Sequence, residues 1–192
     1  MYSSKAVVVS TVGYFCIAVT GWMASMTYAD WFSKQYGLGL LYPIAIVLGV
    51  IGILSFIQGR ALDTIVFLSG TALLGSVYAY NATPNLIRMD DPRMFLGWFA
   101  FVWAVFFAYV WLGSLRSGPS RMLFLLGAWL TLLVLAIGGW TGARGWVVLA
   151  GYLGLITSIL AAVTSAVEIV RLGIARDPNL PVVESPRAMA AD

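Results

Sequence analysis

The stretch AGYLGLITSILAAVTSAVEIV, which runs from Ala150 to Val170, indicates the fold class of this 192-residue chain. Its residues from Ala150 to Val167 carry no charge and are mostly apolar. A helix needs about 20 such residues to cross the hydrocarbon core of a bilayer, which is roughly 30 Å thick. The stretch therefore predicts a transmembrane helix.

Small residues and one glutamate form a regular series within this stretch. They are Gly151, Gly154, Ser158, Ala161, Ser165 and Glu168. Successive spacings of three and four put them on one face of a helix. Small residues let helix backbones approach closely in lipid, and similar series recur in the second, third and fourth apolar segments. The pattern predicts helices packed tightly into one bundle, and it leaves open whether some of the small residues line a narrow path.

Composition places the whole chain in a membrane. Hydrophobic residues make up 61% of it and charged residues 10%, whereas a soluble domain has about 25% charged residues. Six apolar segments are long enough to span a bilayer, and they lie near residues 6–29, 37–57, 63–82, 94–115, 121–140 and 146–171. The sequence therefore predicts an all-α integral membrane protein, a six-transmembrane-helix bundle followed by a C-terminal tail at 173–192.

Lysine and arginine residues indicate the orientation of the bundle. An even number of spans puts both termini on one side, and that side has seven Lys and Arg residues against four on the other. Basic residues are more frequent in cytoplasmic segments. We therefore expect both termini and the C-terminal tail to lie in the cytoplasm.

The residue types that are missing exclude several kinds of chemistry. The chain has no histidine, so it has no imidazole ligand for haem, copper or zinc. Cys16 is the one cysteine and cannot form an internal disulfide. No glycine-rich phosphate loop is present, and the basic residues lie at helix ends rather than in a patch that would bind nucleic acid. We expect no enzyme activity, no catalytic residue, no metal site, no cofactor and no nucleic-acid partner.

Two carboxylates near helix ends are candidate functional groups. Glu168 ends the small-residue series and lies three residues before Arg171, while Asp63 lies three residues after Arg60. A carboxylate in a membrane segment is a candidate for proton transfer or for orienting a solute. The same spacing is also typical of ordinary ion pairs at helix ends and, for Asp63, of a helix cap. The sequence leaves both interpretations open.

Three segments carry a resemblance to a known family. They are FLGWFAFVWAVFFAYVWLGSLR at 95–116, LAIGGWTG at 135–142 and LAGYLGLITSILAAVTSAVEIV at 149–170. Together they resemble the last three helices of the acetate uptake transporter family, which includes bacterial acetate/succinate:proton symporters and fungal acetate permeases. The resemblance implies a multi-pass protein of the bacterial inner membrane with six helices per protomer and cytoplasmic termini. It also implies a homo-hexamer in which each protomer has its own path for a small carboxylate.

The chain departs from the family in its first helix and at the expected constriction. The family motif Asn-Pro-Ala-Pro-Leu-Gly-Leu matches residues 5–11, which read Lys-Ala-Val-Val-Val-Ser-Thr and contain no proline. The family's hydrophobic constriction, formed by an aromatic residue, a tyrosine and a leucine, falls on Tyr14, Gly70 and Ala128. Only Tyr14 keeps the character of its counterpart. The resemblance therefore implies a path that is wider at this point or is filled by something else, such as Trp129 or lipid.

The resemblance implies membrane transport of acetate or another small carboxylate, coupled to protons or as the neutral acid. The expected path residues are Tyr14, Ser69, Gly70, Thr71 and Ala128, and the expected proton or orientation groups are Asp63 and Glu168. Two other functions stay open at this point. One is a structural or accessory subunit of a larger membrane complex, which kept the fold and lost transport. The other is a channel for small neutral solutes.

Overall fold

The computed structural model describes residues 4–32, 39, 41–82 and 92–176. These residues form six α-helices and no β-strand. The helices are α1 (Ser4–Tyr28), α2 (Leu41–Ile57), α3 (Ala61–Ala82), α4 (Pro92–Ser114), α5 (Pro119–Thr141) and α6 (Arg144–Arg176). The prediction of an all-α, six-helix bundle is confirmed.

Proline and glycine mark the ends of α5. Pro119 is its first residue, a position where the missing N–H of proline leaves no helical hydrogen bond unmade. The helix ends at Thr141 and is capped by Gly142, which has a left-handed φ of 64° and donates its N–H to the Gly138 carbonyl oxygen at 3.0 Å. Helix α6 ends at Arg176, so its last four residues lie in the segment that we expected to form a tail from residue 173. The rest of that tail and the predicted start of the second span at 37 lie outside the described residues.

Length and surface composition fit a protein embedded in a bilayer. Within the described residues, five helices are long and apolar enough to cross a membrane, while α2 has 17 residues and is shorter. Large apolar side chains cover the outside of the bundle; Phe56, Val102 and Ile156 are each more than half exposed. Such a surface is stable against lipid and not against water. The chain is a multi-pass membrane protein, and the cytoplasmic location of its termini stays a prediction.

The six helices form a ring around a shared centre. Helix α1 packs against α2 and α6, α2 packs against α3, and α5 packs against α4 and α6. A smaller contact between α3 and α4 closes the ring. Neighbouring helices in the ring run antiparallel, so α1, α3 and α5 all begin at the same end of the bundle. We call this the terminal end, because α1 begins there and α6 ends there.

The small-residue series of α6 faces α1 and determines how closely the two helices pack. A Cβ atom at Gly151 would overlap the backbone of Ala29, so only glycine fits there. Further along the interface, the Ser165 hydroxyl donates a hydrogen bond of 2.9 Å to the Thr11 carbonyl oxygen. Close backbone approach and interhelical hydrogen bonds are the main forces between helices in lipid. The series therefore packs α6 onto α1 along most of its length.

Candidate functional site

A cavity of about 180 Å³ lies at the centre of the ring and touches all six helices. Helix α2 contributes only Leu41 to its lining, and each of the other helices contributes several residues. Apolar side chains such as Val66, Leu73 and Leu135 form most of the wall. The cavity is large enough for a molecule of a few non-hydrogen atoms and is shaped mainly by hydrocarbon.

Four of the hydroxyl groups on the cavity wall are already engaged within their own helices. Thr20 donates to the Cys16 carbonyl oxygen at 2.7 Å, and Ser158 donates to the Gly154 carbonyl oxygen at 2.8 Å. Thr131 and Thr157 likewise donate to carbonyl oxygens of the preceding turn, and their own hydroxyl oxygens lie 3.2 Å apart. Such a wall offers few donors for a charged group and suits a neutral solute better.

The faces that line the cavity continue toward the terminal end and become polar there. On α5 the series is Arg121, Phe124, Ala128, Thr131 and Leu135, and on α3 it is Asp63, Val66, Gly70, Leu73 and Val77. On α1 it is Ser10, Tyr14, Ile17, Gly21 and Ala24. Spacings of three and four keep each series on one helix face. The same faces thus carry cavity residues at the centre and polar residues one or two turns closer to the terminal end.

An aromatic layer of Tyr14, Phe67 and Phe124 separates the cavity from these polar residues. The Tyr14 ring is fully buried and packs edge-on against Phe67 and Phe124, with ring centroids 5.2 and 5.8 Å apart. Phe124 also lines the cavity. The Phe67 ring fits because Gly13 has no side chain, and a Cβ atom at Gly13 would overlap the ring. The layer closes the cavity toward the terminal end.

Aromatic rings of this layer occupy the expected constriction. Gly70 and Ala128 are small and line the cavity, while Phe67 and Phe124, one turn earlier on the same two helices, fill the space beside Tyr14. Trp129 does not line the cavity; its ring stacks on Trp111 of α4 with centroids 5.7 Å apart. The suggestion that Trp129 fills the constriction is therefore wrong, because that side chain points toward α4.

Asp63 is the most densely contacted group at the terminal end. Its carboxylate accepts hydrogen bonds from the Ser10 hydroxyl at 2.6 Å and the Tyr14 hydroxyl at 3.1 Å. It also forms ion pairs with Arg60 at 2.7 Å and with Arg121 at 3.5 Å. Both carboxylate oxygens are therefore engaged, Oδ2 by Ser10 and Arg60 and Oδ1 by Tyr14 and Arg121. Asp63 is the third residue of α3 and lies inside its first turn, so it is not the helix cap that its position in the sequence suggested.

Glu168 is bound more loosely than Asp63. Arg121 donates to Glu168 Oε1 at 2.6 Å, and Arg171 approaches the same oxygen at 3.6 Å. Among the described residues, no hydrogen bond to Glu168 Oε2 is formed. The carboxylate is nevertheless buried, with 6% of its side chain exposed, whereas the Arg171 side chain is 59% exposed.

Arg121 joins the two carboxylates and was missed by the sequence analysis, which treated it only as a basic residue at a helix start. Its guanidinium lies 5.6 Å from the centre of the Tyr14 ring. Its Nε atom is buried and has no hydrogen-bond partner in the described part of the chain. A signal was present in the sequence, since Arg121 continues the series of Phe124 and Ala128 at helical spacing. We call Arg60, Asp63, Arg121, Glu168 and Arg171 the charge cluster.

The remaining predicted path residues lie elsewhere. The Ser69 hydroxyl donates to the Val66 carbonyl oxygen at 3.1 Å, and the Thr71 hydroxyl donates to the Phe67 carbonyl oxygen at 2.9 Å. Neither residue lines the cavity, and the Thr71 methyl group faces Gly49 of α2. The structure thus brings Tyr14, Asp63 and Glu168 together through Arg121, puts Gly70 and Ala128 on the cavity wall, and leaves Ser69 and Thr71 outside both.

Comparisons with known proteins bear on the fold. No protein-family model matches the chain, and no curated protein matches it. The structure is similar to that of the bacterial acetate channel SatP, with a TM-score of 0.82 and 21% sequence identity over 94% of this chain and 99% of that chain. At this level of identity the similarity establishes a shared fold. It confirms, at the level of the fold, the resemblance to the acetate uptake transporter family.

Proposed function

We propose that the protein transports acetate or another small carboxylate across the membrane through the central cavity. The observation that carries the proposal is one cavity shared by all six helices, with an arginine-containing cluster on the far side of the aromatic layer, in a fold shared with the bacterial acetate channel SatP. Gly70 and Ala128 widen this path, and the Tyr14 ring closes it at the terminal end. In this proposal each chain has its own path.

The cavity wall favours passage as the neutral acid. A charge near the middle of a membrane costs at least about 2.5 kcal/mol, and this wall has few spare donors to offset that cost. Small carboxylic acids, like ordinary carboxyl groups, have pKa values well below neutral pH, so only a minor neutral fraction is present at neutral pH. Uptake coupled to a proton follows, because each neutral acid brings its proton with it.

The two carboxylates receive different parts in this proposal. Asp63 orients the Tyr14 hydroxyl and Arg121, because both of its oxygens are already engaged. Glu168 is the proton acceptor in this proposal, since one of its oxygens makes no hydrogen bond within the described residues. A proton released at the aromatic layer reaches Glu168 before it reaches water at the terminal end.

The assembly and location in this proposal come from the family resemblance. They comprise a homo-hexamer in the bacterial inner membrane with cytoplasmic termini. The exposed aromatic face of α4, with Trp98 at 55% and Tyr109 at 68% exposure, suits contact with lipid or with another copy. Light scattering of the detergent-purified protein tests the assembly, and six copies are expected.

The experiment that tests transport is uptake of labelled acetate into liposomes that contain the purified protein. Uptake is compared with and without an inward proton gradient and with protein-free liposomes. Saturable uptake that the gradient stimulates is the expected result. Absence of uptake by folded, oligomeric protein would contradict the proposal and favour the accessory subunit.

A channel for small neutral solutes is the second candidate, and the apolar wall of the cavity favours it. Acetamide has nearly the shape of acetic acid and no ionisable proton in this pH range. Equal acetamide and acetate uptake, both insensitive to the proton gradient, would identify a neutral-solute channel. Carboxylate transport predicts that the gradient stimulates acetate uptake alone.

A further inference from the structure

The charge cluster contains one more arginine than it has carboxylates. Three arginines, Arg60, Arg121 and Arg171, surround Asp63 and Glu168. Most of the Arg171 side chain is exposed and can be solvated by water, whereas only 14% of the Arg121 side chain is exposed. A buried guanidinium needs an anionic partner, so Arg121 is the member of the cluster that binds a further carboxylate only in exchange for one that it holds.

Arg121 is the member of the cluster that can be released. Asp63 keeps Arg60, Ser10 and Tyr14 when Arg121 moves away, and Glu168 keeps Arg171. Neither carboxylate is left as an unpaired buried charge, which is the costly outcome when a buried ion pair is broken. Arg171 has room to approach Glu168 more closely, because most of its side chain is exposed.

Arg121 also has one N–H donor without a hydrogen bond among the described residues, and its guanidinium lies beside the aromatic layer. Its buried Nε makes no hydrogen bond among the described residues. The guanidinium lies against the Tyr14 ring on the side of the aromatic layer away from the cavity, on the helix face that also presents Phe124 and Ala128. A guanidinium offers five donors in a planar fork that matches a carboxylate. A solute that crosses the layer beside Tyr14 therefore comes close to this group.

We propose that Arg121 binds the carboxylate of the transported acid as the acid passes the aromatic layer. Arg121 gives up its contact with Glu168 and binds one monoanion per chain in its place. This inference rests on the proposed function and adds to it a residue that distinguishes acids from neutral molecules of the same shape. Arg121 is a binding residue, and Arg60 and Arg171 hold the two resident carboxylates during the exchange.

The test compares Arg121→Gln with Arg116→Gln. Arg116 is exposed at the same end of the bundle and makes no ion pair in the described part of the chain, so its substitution removes the same charge without touching the cluster. In liposomes, Arg121→Gln raises the half-saturating acetate concentration at least about tenfold, because a hydrogen bond to a charged group is lost. Acetamide uptake does not change, and Arg116→Gln behaves like the wild type for both solutes.

A second variant and a binding measurement keep the test informative. Arg121→Lys retains the charge but not the planar fork, and it restores part of the acetate affinity. Saturation-transfer NMR on the acetate methyl group detects binding to the detergent-solubilised protein without transport, and the signal falls in Arg121→Gln and not in Arg116→Gln. Circular dichroism checks that each variant is folded.

The outcomes separate this inference from the proposed function. If the wild type takes up acetate and Arg121→Gln has the same half-saturating acetate concentration, the inference is wrong and the proposed transport stands. No wild-type uptake, together with an NMR signal that depends on Arg121, overturns transport and supports the anion site. No uptake and no dependence on Arg121 overturns both.

Discussion

Arg121 in the first turn of α5 and Glu168 near the end of α6 form a 2.6 Å ion pair across 47 residues of sequence. The same guanidinium reaches Asp63 of α3 at 3.5 Å. One side chain thus links three helices at the terminal end. The two carboxylates therefore belong to a shared network and not to separate local pairs with Arg60 and Arg171.

Asp63→Asn is expected to destabilise the protein strongly. The substitution leaves Arg60 and Arg121 without a shared counter-charge, and breaking a buried ion pair from one side costs about 3 kcal/mol or more. Thermal unfolding in detergent measures the loss as a lower midpoint. Asp30→Asn is the matched control, because the Asp30–Arg144 pair is exposed at the opposite end and is expected to contribute little. Equal midpoints for the two variants would contradict this account of the charge cluster.

Gly151→Ala is expected to weaken the packing of α6 onto α1. The new methyl group would overlap the Ala29 backbone, and overpacking of this kind costs about 1 to 3 kcal/mol. Gly75→Ala makes the same change in α3, where nothing lies within 4 Å of the added atom. There the higher helix propensity of alanine is expected to leave stability equal or slightly raised. Unfolding midpoints that fall equally in both variants would show that the close contact is not the cause.

Phe124→Leu is expected to raise acetate flux severalfold. Phe124 fills the aromatic layer against Tyr14, and a smaller side chain leaves a gap between the cavity and the charge cluster. Initial uptake rates at equal protein density measure the effect. The control is Phe56→Leu, which makes the same exchange on the outer surface of α2, where the ring is 72% exposed. An unchanged or lower rate in folded Phe124→Leu would mean that the layer does not limit flux.

Acetate uptake is expected to rise as the external pH falls. Between pH 7 and pH 6 the neutral fraction of a small carboxylic acid increases about tenfold, and initial rates below saturation should increase by up to the same factor. Acetamide uptake through the same liposomes serves as the control, since its charge does not change in this range. A flat acetate profile would argue against passage as the neutral acid.

Much of the fold was predictable because helical spacing alone determines which residues share a face. The small-residue series ending at Glu168 predicted a packed face, and the structure places that face against α1 through Gly151 and Ser165. Helix number followed from apolar segment length in the same way. Both properties belong to single helices, so the sequence contains them directly.

The site was harder to predict because it depends on how helices are rotated and shifted against one another. The Phe67 ring of α3 reaches Tyr14 in the space that Gly13 leaves open on α1, and Phe124 reaches Tyr14 from α5. Spacing within α3 or α5 does not specify that contact. The link from Arg121 to Asp63 likewise depends on the placement of α5 beside α3. Local spacing pointed only to Arg60 as the partner of Asp63, and that ion pair is present as well.

The central claim is that a small carboxylate crosses through the cavity of each chain. The most direct measurement compares gradient-driven acetate uptake by wild type, Ala128→Leu and Ala162→Leu in liposomes. Ala128 lines the cavity, whereas Ala162 lies on the exposed outer face of α6, so the same added volume blocks the path in only one variant. We predict that Ala128→Leu lowers uptake to the level of protein-free liposomes and that Ala162→Leu keeps the wild-type rate. Equal uptake by the two folded variants would contradict the claim.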